Sequence, residues 1–130
     1  MNHFLAPLLA SGQGRFALRN VRTHELLALS VEGAFDSRSR RKGLLGRDGL
    51  SADAALAIAP CNTIHTFFMR FAIDVVFVSR QGVVRKIRGN VKPWRMSGSL
   101  TAFAVIEMAA HTISRTDIVV GDHLTIVPAD

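Results

Sequence analysis

The chain has 130 residues, of which 48% are hydrophobic, and it carries a formal net charge of +6. This length suits one hydrophobic core and is short for two ordinary domains. No apolar run reaches the roughly 18 residues needed to cross a membrane, so the composition predicts a soluble globular protein with no membrane partner.

The N-terminal residues 4–10 resemble a shortened signal-peptide core. They lack a basic leader and a clear cleavage motif, and Pro7 interrupts the apolar run. We therefore interpret residues 1–14 as a flexible or loosely docked tail and predict a single domain over residues 15–130. The lone Cys61 cannot form an internal disulfide, so we expect a cytoplasmic protein.

Positive charge is concentrated in the middle of the chain, where residues 36–95 hold 12 of the 16 Lys and Arg against 4 acidic residues. Such a region attracts phosphates or acidic partners. A nucleic-acid platform would interleave exposed aromatic side chains with these cations, and the sequence shows no such pattern. No nucleic-acid-binding motif accompanies the charge. We favour a solvated basic face and keep weak nucleic-acid binding as an alternative.

The first half of the chain predicts a hairpin followed by a helix. Residues 15–21 and 25–31 alternate as two strands around a turn. Asp36 is a good N-cap for a helix that continues to Leu45, and Gly46 can end that helix in a left-handed conformation.

One face of this predicted helix is basic. Arg38, Arg41 and Lys42 have the i, i+3, i+4 spacing that places side chains on the same face of a helix. That face is either an exposed surface or a docking site for an anion.

Residues 61–78 are the most hydrophobic and chemically varied stretch. Their aromatic and β-branched residues favour paired central strands over helix. Within residues 73–78 the odd-numbered side chains should face one side and the even-numbered side chains the other, and both sets are largely apolar. We therefore predict a central strand with both faces covered.

The second half of the chain predicts further strands. Gln81 and Gly82 form a turn into an edge-like strand at residues 83–88, and the glycine- and serine-containing residues 89–99 form an irregular loop. In this loop Trp94 is expected to pack as a lid over the core, with a place in a ligand cleft as the alternative. The remaining predicted elements are a strand at 100–108, a helical turn at 111–116 and a last strand at 123–127.

Five short motifs carry a family resemblance. In chain order they are GLLGR at 43–47, FFM at 67–69, IDVVF at 73–77, VIEM at 105–108 and VGD at 120–122. Together, over residues 29–127, they resemble the uncharacterised prokaryotic family called domain of unknown function 192. The resemblance implies a compact α+β domain, mostly antiparallel and barrel-like, with one or two short helices. It implies no general activity or cofactor.

Cys61, His65 and Met69 are the first candidate constellation, because thiolate, imidazole and thioether ligands suit copper(I) or zinc. Residues four apart on a strand lie about 13 Å apart, too far to share one ion. We therefore expect structural roles and no metal site. A second hypothesis makes Cys61 a nucleophile with His65 as its base.

Asp74 and Glu107 form the third constellation, two carboxyl groups on apolar strands with Arg47 or Arg70 as possible partners. Burial or mutual repulsion would raise one pKa and permit acid–base chemistry. A structural network of ion pairs is the simpler interpretation.

The working hypothesis is a small binding or accessory module for an anionic ligand or an acidic protein partner. The candidate contacts are Arg47, Arg70, Asp74, Trp94 and Glu107. A small enzyme using Asp74 with Glu107, or Cys61 with His65, is the alternative.

Overall fold

The structure is a computed structural model that describes residues 2–10 and 15–129. Its helices are α1 (Ala6–Ala10), α2 (Ser37–Lys42) and α3 (Thr112–Arg115). Its strands are β1 (Phe16–Asn20), β2 (Leu26–Ala28), β3 (Ser30–Ala34), β4 (Ala54–Ile58), β5 (Thr63–His65), β6 (Ile73–Val78), β7 (Val84–Val91), β8 (Met96–Gly98), β9 (Ala104–Ala109) and β10 (Leu124–Pro128). None of the helices in these described ranges is long and apolar enough to cross a membrane.

Five strands form a central sheet in the order β3-β4-β9-β6-β7. β3 runs parallel to β4, and the other neighbours are antiparallel. A second sheet has the order β10-β1-β2, and β5 pairs with β8. The predicted α+β class with mostly antiparallel sheets is confirmed. The described residues divide their strands among three sheets, and they contain three short helices where the resemblance implied one or two.

The strand β6 is buried along its whole length. Val76 and Val78 belong to one core cluster, which includes Leu18 of β1 and Leu124 of β10. The odd-numbered residues of β6 belong to a second cluster on the opposite face, with Leu44 among its members. The predicted two-sided central strand is therefore confirmed. Each fully buried aliphatic or aromatic side chain contributes about 1.5–3 kcal/mol, so β6 stabilises both cores at once.

Helix α2 begins as predicted and ends earlier. The Asp36 carboxylate accepts a hydrogen bond from the Ser39 N–H at 2.8 Å, which satisfies a donor in the first turn. Gly43 then adopts a φ of 47°, and its N–H donates to the Ser39 carbonyl. This left-handed residue ends the helix at Lys42, before the predicted Leu45.

Three local predictions need correction. Residues 61–78 are not one run of central strands, because β5 leaves the central sheet to pair with β8 and residues 66–72 are irregular. β8 itself lies inside the predicted loop 89–99. β4 was not predicted, because its sequence AALAI is rich in alanine, and the packing of the sheet overrides that weak propensity. The edge position of β7 is confirmed.

Residues 2–10 pack on the domain. Leu5 is fully buried in the first core cluster, and Phe4 packs against it. The Phe4 N–H donates to the Arg80 carbonyl at 3.0 Å. Phe4 and Leu5, which belong to the stretch that resembles a signal peptide, therefore pack in the first core cluster. Residue 1 and residues 11–14 of the predicted tail lie outside the described residues.

A buried carboxylate ties the two ends of the domain together. Asp122 accepts hydrogen bonds from Arg22 Nε at 2.6 Å, Asn20 Nδ2 at 2.9 Å and the Val119 N–H at 2.9 Å. These bonds, that from Arg22 above all, hold the pKa of Asp122 well below its ordinary value. Because a lowered pKa stabilises the fold only while the acid is ionised, this contribution is present above about pH 4 and is lost as pH falls.

Replacing Asp122 by Ala is expected to lower the free energy of unfolding by about 1–3 kcal/mol at neutral pH, because buried donors lose their acceptor. Urea denaturation measures the change. Asp117→Ala is the matched control: Asp117 also pairs with Arg22, but its side chain is 75% exposed, so its removal should leave stability nearly unchanged. Equal effects of the two substitutions would contradict the role assigned to Asp122.

Candidate functional site

A cleft of about 410 Å³ opens between α2 and β5, over the face of the central sheet that carries the second core cluster. Its walls combine three kinds of side chain. The cations are Arg40, Arg41 and Lys42, the main apolar residues are Leu44, Ile58, Ile64 and Met69, and the remaining polar groups include Cys61, His65 and Glu107. The volume is within the range of small-molecule sites.

Glu107 is the buried acid of this cleft. It lies on β9 and is only 4% exposed. Burial raises the pKa of Glu107 to about 7, and the charge of Arg47 opposes part of that shift. In the described part of the chain no side chain or backbone group lies within hydrogen-bonding reach of its carboxyl oxygens to lower the pKa further. An acid so placed alternates between its neutral and charged forms near neutral pH.

The cations at the rim all belong to α2. Arg40 Nη1 donates to the Pro60 carbonyl at 3.0 Å, and Arg41 Nη2 donates to Ser37 Oγ at 3.2 Å. No ion pair within the described residues involves Arg40, Arg41 or Lys42. Arg38, which the sequence placed on the same helix face, does not line the cleft. Positive charge at the rim therefore remains available to a ligand.

Cys61, His65 and Met69 line the same cleft. In residues 2–10 and 15–129 no group of three or more His, Cys, Asp or Glu side chains could hold a metal ion. Cys61 Sγ donates to the Thr63 carbonyl at 3.2 Å, and His65 Nδ1 accepts from the Phe67 N–H at 3.3 Å. Cys61 and His65 thus each have a local partner.

The thiol of Cys61 is poorly suited to act as a nucleophile. Burial raises the pKa of Cys61, because the apolar surroundings disfavour the thiolate. A reactive cysteine needs the opposite shift, usually supplied by a cation or an imidazole. The structure therefore gives no support to the hypothesis of Cys61 activated by His65.

Asp74 lies on the other face of the sheet from Glu107, so the proposed carboxyl pair does not exist. In the β6–β9 ladder Asp74 is opposite Met108, and Glu107 is opposite Val75. Residues opposite each other share a face, and Met108 and Val75 belong to different core clusters. Asp74 instead accepts hydrogen bonds from two backbone N–H groups, that of Asn90 at 2.7 Å and that of Ile113 at 2.8 Å. Its role is structural.

The two candidate arginines are engaged at the surface. Arg47 pairs with Glu32 at 3.1 Å and still influences Glu107 through its charge. Arg70 pairs with Asp48, and both side chains are exposed. Of the five predicted contacts, Glu107 alone lines the cleft, and Arg47 influences its pKa through charge.

Trp94 is not a lid over the core, since it is 56% exposed. Its backbone has a positive φ of 68°.

Four aromatic side chains form a row at this surface. His65 stacks on Phe67 at 5.0 Å between ring centroids, Phe67 stacks on Trp94 at 5.7 Å, and Phe68 meets Trp94 edge-on at 4.7 Å. We call this row of four residues the aromatic platform. Trp94 does not line the cleft, although His65 belongs to both the platform and the cleft wall.

Replacing Glu107 by Gln is expected to stabilise the fold increasingly as pH rises. The raised pKa means that the folded protein keeps a proton that the unfolded chain releases, so wild-type stability falls between pH 4.5 and about pH 7. Glutamine cannot ionise, and the cost of burying its amide is the same at every pH. The stability difference between variant and wild type, measured by urea denaturation, should grow by up to about 3 kcal/mol between about pH 5 and pH 8.

Asp48→Asn is the control for this series, because Asp48 is an exposed acid that does not line the cleft. Its effect on stability should not vary with pH. A constant difference between Glu107→Gln and wild type across the same range would show that Glu107 ionises normally and is not the buried acid described above.

Comparison with known proteins identifies the family. The sequence matches the family model DUF192, described as Uncharacterized ACR, over residues 19–126. Two solved structures are similar. A "putative transcription regulator" from Sinorhizobium meliloti 1021 has a TM-score of 0.74 and 24% identity, covering 85% of this chain and 90% of that chain. A protein of unknown function from Novosphingobium aromaticivorans DSM 12444 has a TM-score of 0.73 and 20% identity, covering 85% and 82%.

At these identities the two structures support the fold alone, and no curated protein matches the sequence significantly. The matched family model spans most of the chain and includes all five motifs noted in the sequence. The chain belongs to the DUF192 family.

Proposed function

We propose that this domain is a binding module for a small anionic ligand, which occupies the cleft between α2 and β5. The observation that carries the proposal is Glu107, a buried acid that faces a cleft with cations along its rim. A buried ionisable group without a partner is costly to the fold, and such groups are common at functional sites. A ligand that hydrogen-bonds to this carboxyl group would offset that cost.

The chemistry of the walls indicates what kind of ligand fits. Arg41 and Lys42 offer charge-assisted hydrogen bonds to a carboxylate or phosphate. Ile58 and Met69 supply an apolar surface for a short carbon chain. Because these groups line a concave cleft, they favour a small molecule over the acidic protein partner considered from the sequence. Arg70, Asp74 and Trp94 no longer belong to the proposed site, and Arg47 acts on it through its charge.

The protonation state of Glu107 gives the proposal a pH dependence. Below about pH 7 the neutral carboxyl can donate a hydrogen bond to an anionic oxygen. Above that pH the carboxylate repels an anion in the same cleft. Affinity should therefore decrease as pH rises through neutrality.

Proton transfer by Glu107 is the second candidate function, because a pKa of about 7 suits a general acid or base. Asp74 lies on the opposite face and Cys61 has a raised pKa, so neither assists. Mass spectrometry of a ligand recovered from the saturated protein decides between the two functions. A chemically altered ligand would establish catalysis, and an unchanged ligand would restrict the cleft to binding.

The cytoplasmic location expected from the sequence remains part of the proposal. Cys61 is an unpaired, partly exposed thiol, which is typical of reducing compartments.

Isothermal titration calorimetry with inorganic phosphate, acetate, succinate and citrate tests the binding proposal. We expect at least one of these anions to bind at slightly acidic pH. The double substitution Arg41→Ala/Lys42→Ala should weaken that binding about tenfold or more, since it removes charge-assisted hydrogen bonds. With wild type the affinity should fall as pH rises through about 7, and with Glu107→Gln it should not.

Arg38→Ala is the matched control, because it removes one positive charge from α2 at a position that does not line the cleft. Its affinity should stay close to that of wild type. If none of the four anions binds, or if Arg38→Ala weakens binding as much as the double substitution, the cleft is not an anion site.

A further inference from the structure

The aromatic platform exposes rings that small domains normally bury. Phe68 is 73% exposed, although it is one of the largest apolar side chains in the chain. The two stacked contacts of the platform are nearly parallel, with interplanar angles of 30° for His65–Phe67 and 28° for Phe67–Trp94. Phe68 touches Trp94 only in an edge arrangement, so most of its ring remains accessible. The platform therefore offers flat aromatic surface to a partner.

The backbone enforces this exposure. Thr66 is fully buried between two loops, where its Oγ1 donates to the Lys92 carbonyl at 2.7 Å and accepts from the Arg95 N–H at 2.9 Å. The Thr66 carbonyl accepts a further hydrogen bond from the Trp94 N–H at 3.1 Å. Phe68 and Trp94 both have left-handed backbone conformations, with φ of 66° and 68°. Such strain persists only where the surroundings impose it, so the rings are held in place before any partner arrives.

The chain around Trp94 carries only positive charge. Residues 75–106 contain six Lys and Arg and no acidic residue. Lys92 and Arg95 flank Trp94 in sequence, and both are exposed. No ion pair among the described residues neutralises either of them. A partner of this surface must therefore combine planar rings or apolar groups with repeated negative charge.

We propose that the aromatic platform binds a single-stranded polynucleotide, whose bases stack on Phe68 and Trp94 while Lys92 and Arg95 contact its phosphates. Stacked aromatic side chains beside cations are the recurring means of holding single strands without sequence readout. Along the chain no aromatic residues interleave with the cations, so nucleic-acid binding is only an alternative prediction from the sequence. The fold brings aromatic residues from two segments together, because the pairing of β5 with β8 places Phe67 and Phe68 beside Trp94.

An anionic bilayer is the competing partner, because Met96 and Leu100 are also exposed. The near-parallel ring arrangement favours planar bases, whereas a bilayer needs only apolar surface. The substitution Phe68→Leu separates the two, because leucine keeps apolar area and removes the ring face. The proposal does not depend on an anion occupying the cleft, and the test uses residues outside the proposed anion contacts.

Trp94 is the single tryptophan of the chain, which also has no tyrosine, so its fluorescence reports directly on the platform. The probes are oligodeoxythymidine and oligouridine of about 15 nucleotides, titrated at about 50 mM salt, where phosphate contacts are strong. We expect saturable quenching of Trp94 emission. Phe68→Leu should weaken binding about fivefold or more, and Leu100→Ala should leave it unchanged. The double substitution Lys92→Ala/Arg95→Ala should reduce the salt slope by about 1.4.

Thermal unfolding of each variant confirms that it remains folded. Saturable binding of either oligonucleotide that weakens in Phe68→Leu supports the proposal. The proposal is overturned if Trp94 emission does not respond to either probe, or if Phe68→Leu binds them as wild type does. Binding to vesicles containing phosphatidylserine that survives Phe68→Leu but is lost in Leu100→Ala, without oligonucleotide binding, would assign the surface to a membrane instead.

Discussion

Burial of both faces of β6 and β9 is the constraint on which the rest of the structure depends. A polar side chain on β6, or on residues 104–108 of β9, must enter one of two cores, because these residues are buried on both faces. Asp74 enters one core and receives two backbone N–H donors, so it fixes the start of α3 against β7. Glu107 enters the other core, where it lines the cleft and can contact a ligand. The same constraint therefore produces a structural acid and a candidate functional acid.

Much of the architecture could be predicted from residue patterns, because alternation and capping are local. The two faces of residues 73–78, the Asp36 cap and the edge strand β7 all follow from neighbouring residues. The relation between Asp74 and Glu107 could not be predicted, because it depends on register. Only the pairing of Asp74 with Met108 shows that the two acids face opposite ways. A shift of one residue would have placed them together.

The cleft and the aromatic platform could not be predicted from the sequence for a related reason. The cations of α2 reach the cleft only because Gly43 ends the helix beside Glu107 and the chain returns through β5. The aromatic platform depends on Thr66, whose hydrogen bonds join segments distant in sequence. The general burial of large apolar residues predicts Trp94 in the core. In the structure Trp94 has a positive φ and an exposed indole, so its ring forms part of the surface.

Glu107 is a buried acid that makes no hydrogen bond to the other described residues, and the burial of β9 holds it at the cleft. Carbon-detected NMR of the full chain, with the Glu107 carboxyl signal assigned through its loss in Glu107→Gln, tests this claim directly. The structure predicts that this signal titrates with a midpoint of about 7, because burial disfavours the carboxylate. A midpoint near the ordinary value of 4.5 would show that the acid is solvated or paired, and it would contradict the account.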